Sequence, residues 1–414
     1  MKKMLLEPYR VLDLTDEESM ACGKILADMG ADVIQVEKVG GALARHRGPF
    51  YHDIVDPSKS LLFWAYNTNK RSITLDIETA QGKDMFKRLV KGADVVIESF
   101  EPAYMDNLGL GYSVLSEIKP SLVMTSISGF GGTGPYAHYK APDIVAAAMG
   151  MIMAVTGEPE DRPFRVSVPQ SYVQAAIQAA QGTMVALYHS AGTGEGQHVD
   201  VSARDTWIFI SLEYLPQWIA ARQVLDKPGR GLTIRKGLRM PILWECKDGD
   251  VAFLLLGGQP GKRNNRLLVE FMDRKGMAPE ALKAKDWSQW GIGETAMEEF
   301  TYLFQVLGEF FKSQTKQELW EEALKENIML YRLSDTKDLV EDEQLQGRDF
   351  FRTVNHEELD DQVTYPGAFA LFSETPIGEW RRPPLIGEHN QEVYEAEMGF
   401  TTKDLIDLRS ARVI

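Results

Sequence analysis

Between Val11 and Glu37 the chain reads strand, helix, strand, and that pattern leaves few folds open. Val11-Leu12-Asp13-Leu14 is a short apolar strand, and Cys22, Ile25, Leu26 and Met29 recur at helical spacing before Gly30, where a helix-ending glycine is expected. Asp32 to Glu37 then supplies a second strand. A strand-helix-strand unit of about thirty residues makes two parallel strands joined by a right-handed crossover. The alternation continues with a strand at Ser72-Ile73-Thr74-Leu75, an amphipathic helix from Gly82 to Val90, and strands at Ala93 to Ile97 and Leu122 to Ser126. The fold class is therefore α/β with a parallel sheet. No G-x-G-x-x-G joins the first strand to its helix, so a dinucleotide held in the usual manner is not expected.

At 414 residues the chain suits one large domain with a smaller one. The pattern changes after Asp200: Trp207 to Ala221 reads as an apolar helix, and the stretch 226–237 is rich in Gly, Lys and Arg, as expected at a crossing between domains. Ile242 to Cys246 and Asp250 to Leu254 flank Lys247-Asp248-Gly249, a hairpin signal. Beyond Val340 a polar helix and a Thr364-Tyr365-Pro366-Gly367 turn are expected. With 45 Lys and Arg against 60 Asp and Glu, the net charge of -15 speaks against nucleic acid as a partner. Two distant cysteines, Cys22 and Cys246, give no metal spacing and suit a reducing cytoplasm. The longest apolar run, Ile144 to Val155, is short of the ~20 residues that span a bilayer and reads as a buried core helix.

A second long helix should begin just after Pro169, with Val173, Ile177, Ala180, Met184 and Leu187 as its apolar stripe. A helix N-terminus exposes backbone N–H groups and partial positive charge, which favours anions. This one offers Gln170, Ser171 and Tyr172. Upstream, Ser128 to Pro135 is a glycine-rich loop suited to close backbone turns near a ligand.

Seven blocks now stand in order: Val11 to Thr15; Gly30 to Ile34 with Glu37; Asn69 to Asp76; Ala93 to Phe100; Ser128-Gly129-Phe130 with Gly134-Pro135; Thr193 to Gln197 with Val199 to Ser202; and Pro384 to His389. In these blocks the chain resembles the class III CoA-transferase family over nearly its whole length. The resemblance implies a large Rossmann-like domain built from both chain ends, residues 1–220 and 336–414, with a smaller central α+β domain at 221–335. It also implies a dimer of interlocked rings.

The chemistry implied is exchange of CoA between an acyl-CoA and a carboxylic acid. An aspartate attacks the thioester, forms a mixed anhydride and later carries CoA itself. By the resemblance this aspartate belongs at Tyr172, or at Ser171 or Gln170 if the spacing shifts, and none of these is an acid. Tyrosine, with an ordinary pKa of about 10, is protonated at neutral pH. Lys38, Lys70, Arg71, Leu75, Phe100 and Lys140 fall where relatives contact CoA. Asp16, Glu17, Glu18 and Glu101 bring negative charge where relatives are neutral or basic, which should weaken CoA binding.

The implied role is a non-catalytic subunit of a heteromeric, cytoplasmic CoA-transferase, similar to the degenerate subunit of the succinyl-CoA:benzylsuccinate type. A homologous active subunit is the expected partner, with succinyl-CoA as donor and benzylsuccinate as acceptor. CoA is then a substrate of the assembly, with no covalently bound cofactor, no metal and no membrane or nucleic-acid partner. The alternatives are an active CoA-transferase with a displaced nucleophile, or an acyl-CoA racemase. The racemase is disfavoured because Pro142 stands where its histidine would be.

Overall fold

The computed structural model describes residues 4–414 except 225, 226, 228, 236, 294 and 379, so three positions of the expected 226–237 crossing lie outside the described residues. The chain divides into two compact units. Met1–Met153, Arg165–Gln223 and Gln346–Ile414 form the first, and Ala154–Phe164 with Val224–Leu345 form the second.

The first unit is organised by six parallel strands: β1 (Arg10–Leu14), β2 (Asp32–Glu37), β3 (Arg71–Thr74), β4 (Val95–Glu98), β5 (Val123–Ser128) and β6 (His198–Ser202). Their order, β3-β2-β1-β4-β5-β6, reverses direction between β1 and β4. That is the doubly wound arrangement, in which helices cover both faces. The strands alternate accordingly. Val11, Val33, Val95 and Val123 turn to one core, while Leu12, Ile34, Val96 and Met124 turn to the other. Helices α1 (Ala21–Asp28) and α4 (Ser171–Thr193) pack into the first core, and α2 (Ala80–Lys91) into the second. A further helix, α3 (Asp143–Met149), precedes α4.

The C-terminal segment closes the edge of β3. His389 donates its backbone N–H to the Ser72 carbonyl at 2.9 Å and accepts at Nδ1 from the Ser72 N–H at 3.2 Å. Asn390 Oδ1 accepts from the Thr74 N–H at 2.9 Å, and the buried Tyr394 donates to the Thr74 carbonyl at 2.8 Å. Side chains and loop backbone thus replace a seventh strand and satisfy an edge that would otherwise stay open.

Four expectations are corrected. On α4 the buried face consists of Ala175, Ala176, Ala179, Ala180, Thr183, Ala186 and Leu187, whereas Ile177 is 37 % exposed. Small side chains let the helix sit close on β5, where Thr183 and Thr125 hydroxyls meet at 2.7 Å; Leu187 and the partly buried Met184 pack into the same core, while Ile177 falls outside it. The run Ile144 to Val155 is not a buried helix. It breaks after α3 at Gly150 and Met151, the latter at φ 78°, and leaves Ile144 and Met149 exposed. Trp207 to Ala221 is likewise broken, into Ala203–Ile210 and short turns thereafter. Residues 351–366 form a hairpin of Phe351–His356 and Asp361–Pro366 in place of the polar helix and turn. Alternation of Val354 and His356 against Val363 and Tyr365 sets its buried side.

In the second unit, Leu243–Cys246 and Gly249–Phe253 pair as the expected hairpin, with Gly249 opposite Cys246 so that Lys247 and Asp248 make the turn. Leu330–Arg332 joins as a third strand. Helices Gly258–Arg274, Met297–Lys312 and Lys316–Glu326 bury an aromatic core around Trp244, Phe253, Phe271 and Phe310.

Candidate functional site

A cavity of about 880 Å³ opens within the first unit at the carboxyl ends of β1 to β5. It straddles the point where the strand order reverses, the position at which open α/β sheets bind ligands. Its walls come from residues at or just after each strand end: Thr15 and Asp16, Lys38, Leu75 and Ile77, Phe100 and Glu101, and Ser128 and Gly129. The segment Ala137 to Ile144 and the start of α4 complete it.

Of the residues singled out for CoA, Lys38, Leu75, Phe100 and Lys140 line this cavity, and so does Tyr172. Lys70 and Arg71 are not among the lining residues. Lys70 is buried, and its ammonium donates to Asp13 Oδ2 at 2.8 Å, the Met20 carbonyl at 2.9 Å and Gln35 Oε1 at 3.1 Å. All three protons are spent. Asp13 in turn holds the Thr15 N–H and hydroxyl at 3.0 and 2.6 Å, so the buried pair shapes the loop after β1. Arg71 stands at the opposite, amino end of β3, paired with Asp32, Glu392 and Glu397 at 2.6, 2.8 and 2.7 Å. Lys38 Nζ lies 3.0 Å from Glu78, which also accepts from Tyr104 Oη at 2.7 Å. Those two partners, Tyr104 first, hold the Glu78 carboxyl below its ordinary range.

The acidic run after β1 is less hostile to an anion than its sequence suggests. Asp16 accepts from the backbone N–H groups of Glu17, Leu43 and Ala44 at 2.7, 2.8 and 3.0 Å. Burial nevertheless pushes its pKa up, against the pull of those amides. Glu17 pairs with Arg47 at 2.6 Å, and burial raises the Glu18 carboxyl. A further pair escaped sequence reasoning: Arg45, 1 % exposed, grips Glu37 at 2.6 and 2.7 Å and lies over the Phe63 ring at 3.5 Å. It fixes the loop that forms one cavity wall.

The start of α4 is capped from outside. Asp143 Oδ1 accepts from the N–H groups of Gln170 and Ser171 at 2.8 and 2.7 Å. Ser171 is buried, donates to the Asp143 carbonyl at 2.9 Å and accepts from Trp207 Nε1 at 2.9 Å. Tyr172 donates to the Ala141 carbonyl at 2.7 Å, and burial pushes its pKa up to about 12. A carboxylate therefore does stand at this helix N-terminus, on α3. The only local signal is an Asp opening a helix after Pro142, and nothing in that dipeptide points to a second helix 27 residues on.

The model of CoA-transferase family III matches residues 6–390. Succinyl-CoA:(R)-benzylsuccinate CoA-transferase subunit BbsE of Thauera aromatica is 33 % identical over 405 residues, covering 97 % of this chain and 96 % of that one. Formyl-CoA:oxalate CoA-transferase of Streptomyces avermitilis is 32 % identical over 417 residues, 99 % of each chain. Among solved structures, a CAIB/BAIF family protein from Brucella suis superposes with a TM-score of 0.81 at 26 % identity, covering 95 % of this chain and 100 % of that one. The chain belongs to CoA-transferase family III, whose chemistry is exchange of CoA between an acyl-CoA and a carboxylic acid. Among the described residues no helix is long and apolar enough to cross a membrane, and no cluster of His, Cys, Asp or Glu could hold a metal.

Proposed function

We propose that this chain is the non-catalytic subunit of a heteromeric class III CoA-transferase, pairing with a homologous subunit that carries the nucleophilic aspartate. The observation that carries this reading is the state of Tyr172. Its hydroxyl is committed to the Ala141 carbonyl and its pKa is pushed up to about 12, so the phenolate needed for attack is scarce at neutral pH. Gln170 is not nucleophilic, and the Ser171 hydroxyl is buried between Asp143 and Trp207. The cavity retains an acyl-CoA site, with the nucleotide toward Lys38, Leu75 and Phe100. Succinyl-CoA and benzylsuccinate are the proposed donor and acceptor, by analogy with the relative from Thauera aromatica. An uncovered apolar surface on the first unit supports a partner: Ile177, Val185 and Tyr188 on α4, with Phe209, Trp218 and Ile219 beyond it, are all exposed.

Asp143 favours a second reading, an active enzyme with a displaced nucleophile, because its carboxylate lines the cavity beside the same helix end. Two backbone N–H bonds stabilise that carboxylate and reduce its nucleophilicity, which favours the first reading. Intact-mass measurement of the purified chain during incubation with succinyl-CoA and benzylsuccinate separates the two. The first reading expects no acyl or CoA adduct, and the second expects an adduct that disappears in Asp143→Asn.

A further inference from the structure

Ser128 ends β5 on the cavity wall, is 7 % exposed, and its Oγ has no hydrogen-bond partner among the described residues. Buried hydroxyls are rarely left so, and each such case asks for an explanation. Its neighbours do not share its condition. Ser126 Oγ meets His198 Nε2 at 2.8 Å, the Tyr172 hydroxyl is spent on Ala141, and Ser202 Oγ faces the Gly129 carbonyl at 3.4 Å. The following residue is closely packed. A Cβ on Gly129 would lie 2.2 Å from the Ala141 Cβ, so backbone and wall are already in close contact there.

We propose that Ser128 is a specificity-determining residue, donating a hydrogen bond to an oxygen of the acyl group of a bound acyl-CoA. The assignment rests on the reading of this cavity as an acyl-CoA site. Position in the sheet selects the acyl group over the nucleotide. Lys38 and Leu75 follow β2 and β3, three and four strand spacings from β5, and Phe100 follows β4 between them and Ser128, which ends β5 near Gly129 and Tyr172. Four strand spacings separate β3 from β5 in the order β3-β2-β1-β4-β5, about 19 Å at ~4.8 Å each. An elongated ligand with its nucleotide at the β2–β3 end brings its far end to β5. The Ser128 oxygen is itself buried, so donation to a ligand requires the hydroxyl to turn about χ1 toward the cavity. A neutral donor there suits a thioester carbonyl or a carboxylate oxygen.

Calorimetric titration of the full chain and of Ser128→Ala with CoA, acetyl-CoA and succinyl-CoA tests this. The variant should keep its affinity for CoA and lose about ten-fold for an acyl-CoA, the worth of one well-placed hydrogen bond. A loss with both acyl-CoAs assigns the thioester carbonyl as acceptor, a loss with succinyl-CoA alone assigns the distal carboxylate, and either supports the proposal. Without ligand, Ser128→Ala should unfold at the same temperature as the parent or higher, since a buried unpartnered hydroxyl has been removed. Ser128→Thr, which keeps the hydroxyl, should restore acyl-CoA affinity. Equal losses for CoA and acyl-CoA, no loss at all, or a lower unfolding temperature would overturn the assignment while leaving the cavity's role intact. Failure of the parent chain to bind any of the three would overturn the acyl-CoA reading itself, and the Ser128 assignment with it.

Discussion

Lys70 shows why single residues of this site were hard to read. A lysine in an Asn-Lys-Arg stretch looks available to a phosphate, yet its partner Asp13 lies 57 residues away and both side chains are fully buried. Burial of that kind is set by tertiary packing and leaves no local mark; the same holds for Asp143 reaching the start of α4. Removing one member of such a pair strands the other charge. Lys70→Met should therefore lower stability by about 3–5 kcal/mol in urea unfolding, and adding Asp13→Asn should recover much of the loss. Retained stability with lost CoA binding would instead restore the ligand role. Glu98 gives a pH signature. Burial pushes its carboxyl from an ordinary 4.5 up to about 7, against hydrogen bonds from Ser126 and the Phe100 N–H. The folded chain then binds the proton more tightly than the unfolded chain, so this contribution is full below about pH 4.5 and is lost as pH rises through 7. Glu98→Gln should flatten the fall in stability over that window by on the order of 3 kcal/mol, read from urea midpoints at pH 5 and 8.

Elements with a strict period were legible, and those shaped by close approach were not. The strands β1, β2 and β4 could be placed from the sequence because buried parallel strands are apolar on both faces and end in recognisable turns. The face of α4 could not, because its contact with the sheet is made mostly of alanines, which carry little hydrophobic signal beside a residue such as Ile177. Ile144 to Val155 looked continuous because apolar composition outweighed the break at Gly150, where a Cβ would sit 2.6 Å from the Trp207 Cβ. Two glycines of opposite kind test the packing. A Cβ on Gly23 would lie 1.9 Å from Asp13 Oδ2 and 3.2 Å from Lys70 Nζ, so α1 can cross the end of β1 only without one. Gly23→Ala should cost about 2–4 kcal/mol in denaturant unfolding. Gly192, inside α4 with nothing within 4 Å, should gain about 0.5–1 kcal/mol on change to Ala. The reverse order of these two midpoints would mean that α1 and α4 are seated differently.

On the scale of the whole molecule, the α/β class was legible from the strand-helix alternation and the family from seven ordered blocks, and the surface was not. Exposed Phe209, Ile210, Leu212, Trp218 and Ile219 read in the sequence as one apolar helix, yet they stand uncovered on the first unit. Such an area is what a chain built to pair with another would leave. As the non-catalytic subunit proposed above, this chain has a use only if its partner supplies the nucleophile. The most direct test is co-expression with a homologous family III chain that keeps the helix-start aspartate, followed by intact-mass analysis of both chains trapped during turnover. The expected result is a one-to-one complex, activity that neither chain shows alone, and the acyl or CoA adduct on the partner only. An adduct on this chain, or transfer by this chain as a homodimer, would contradict it.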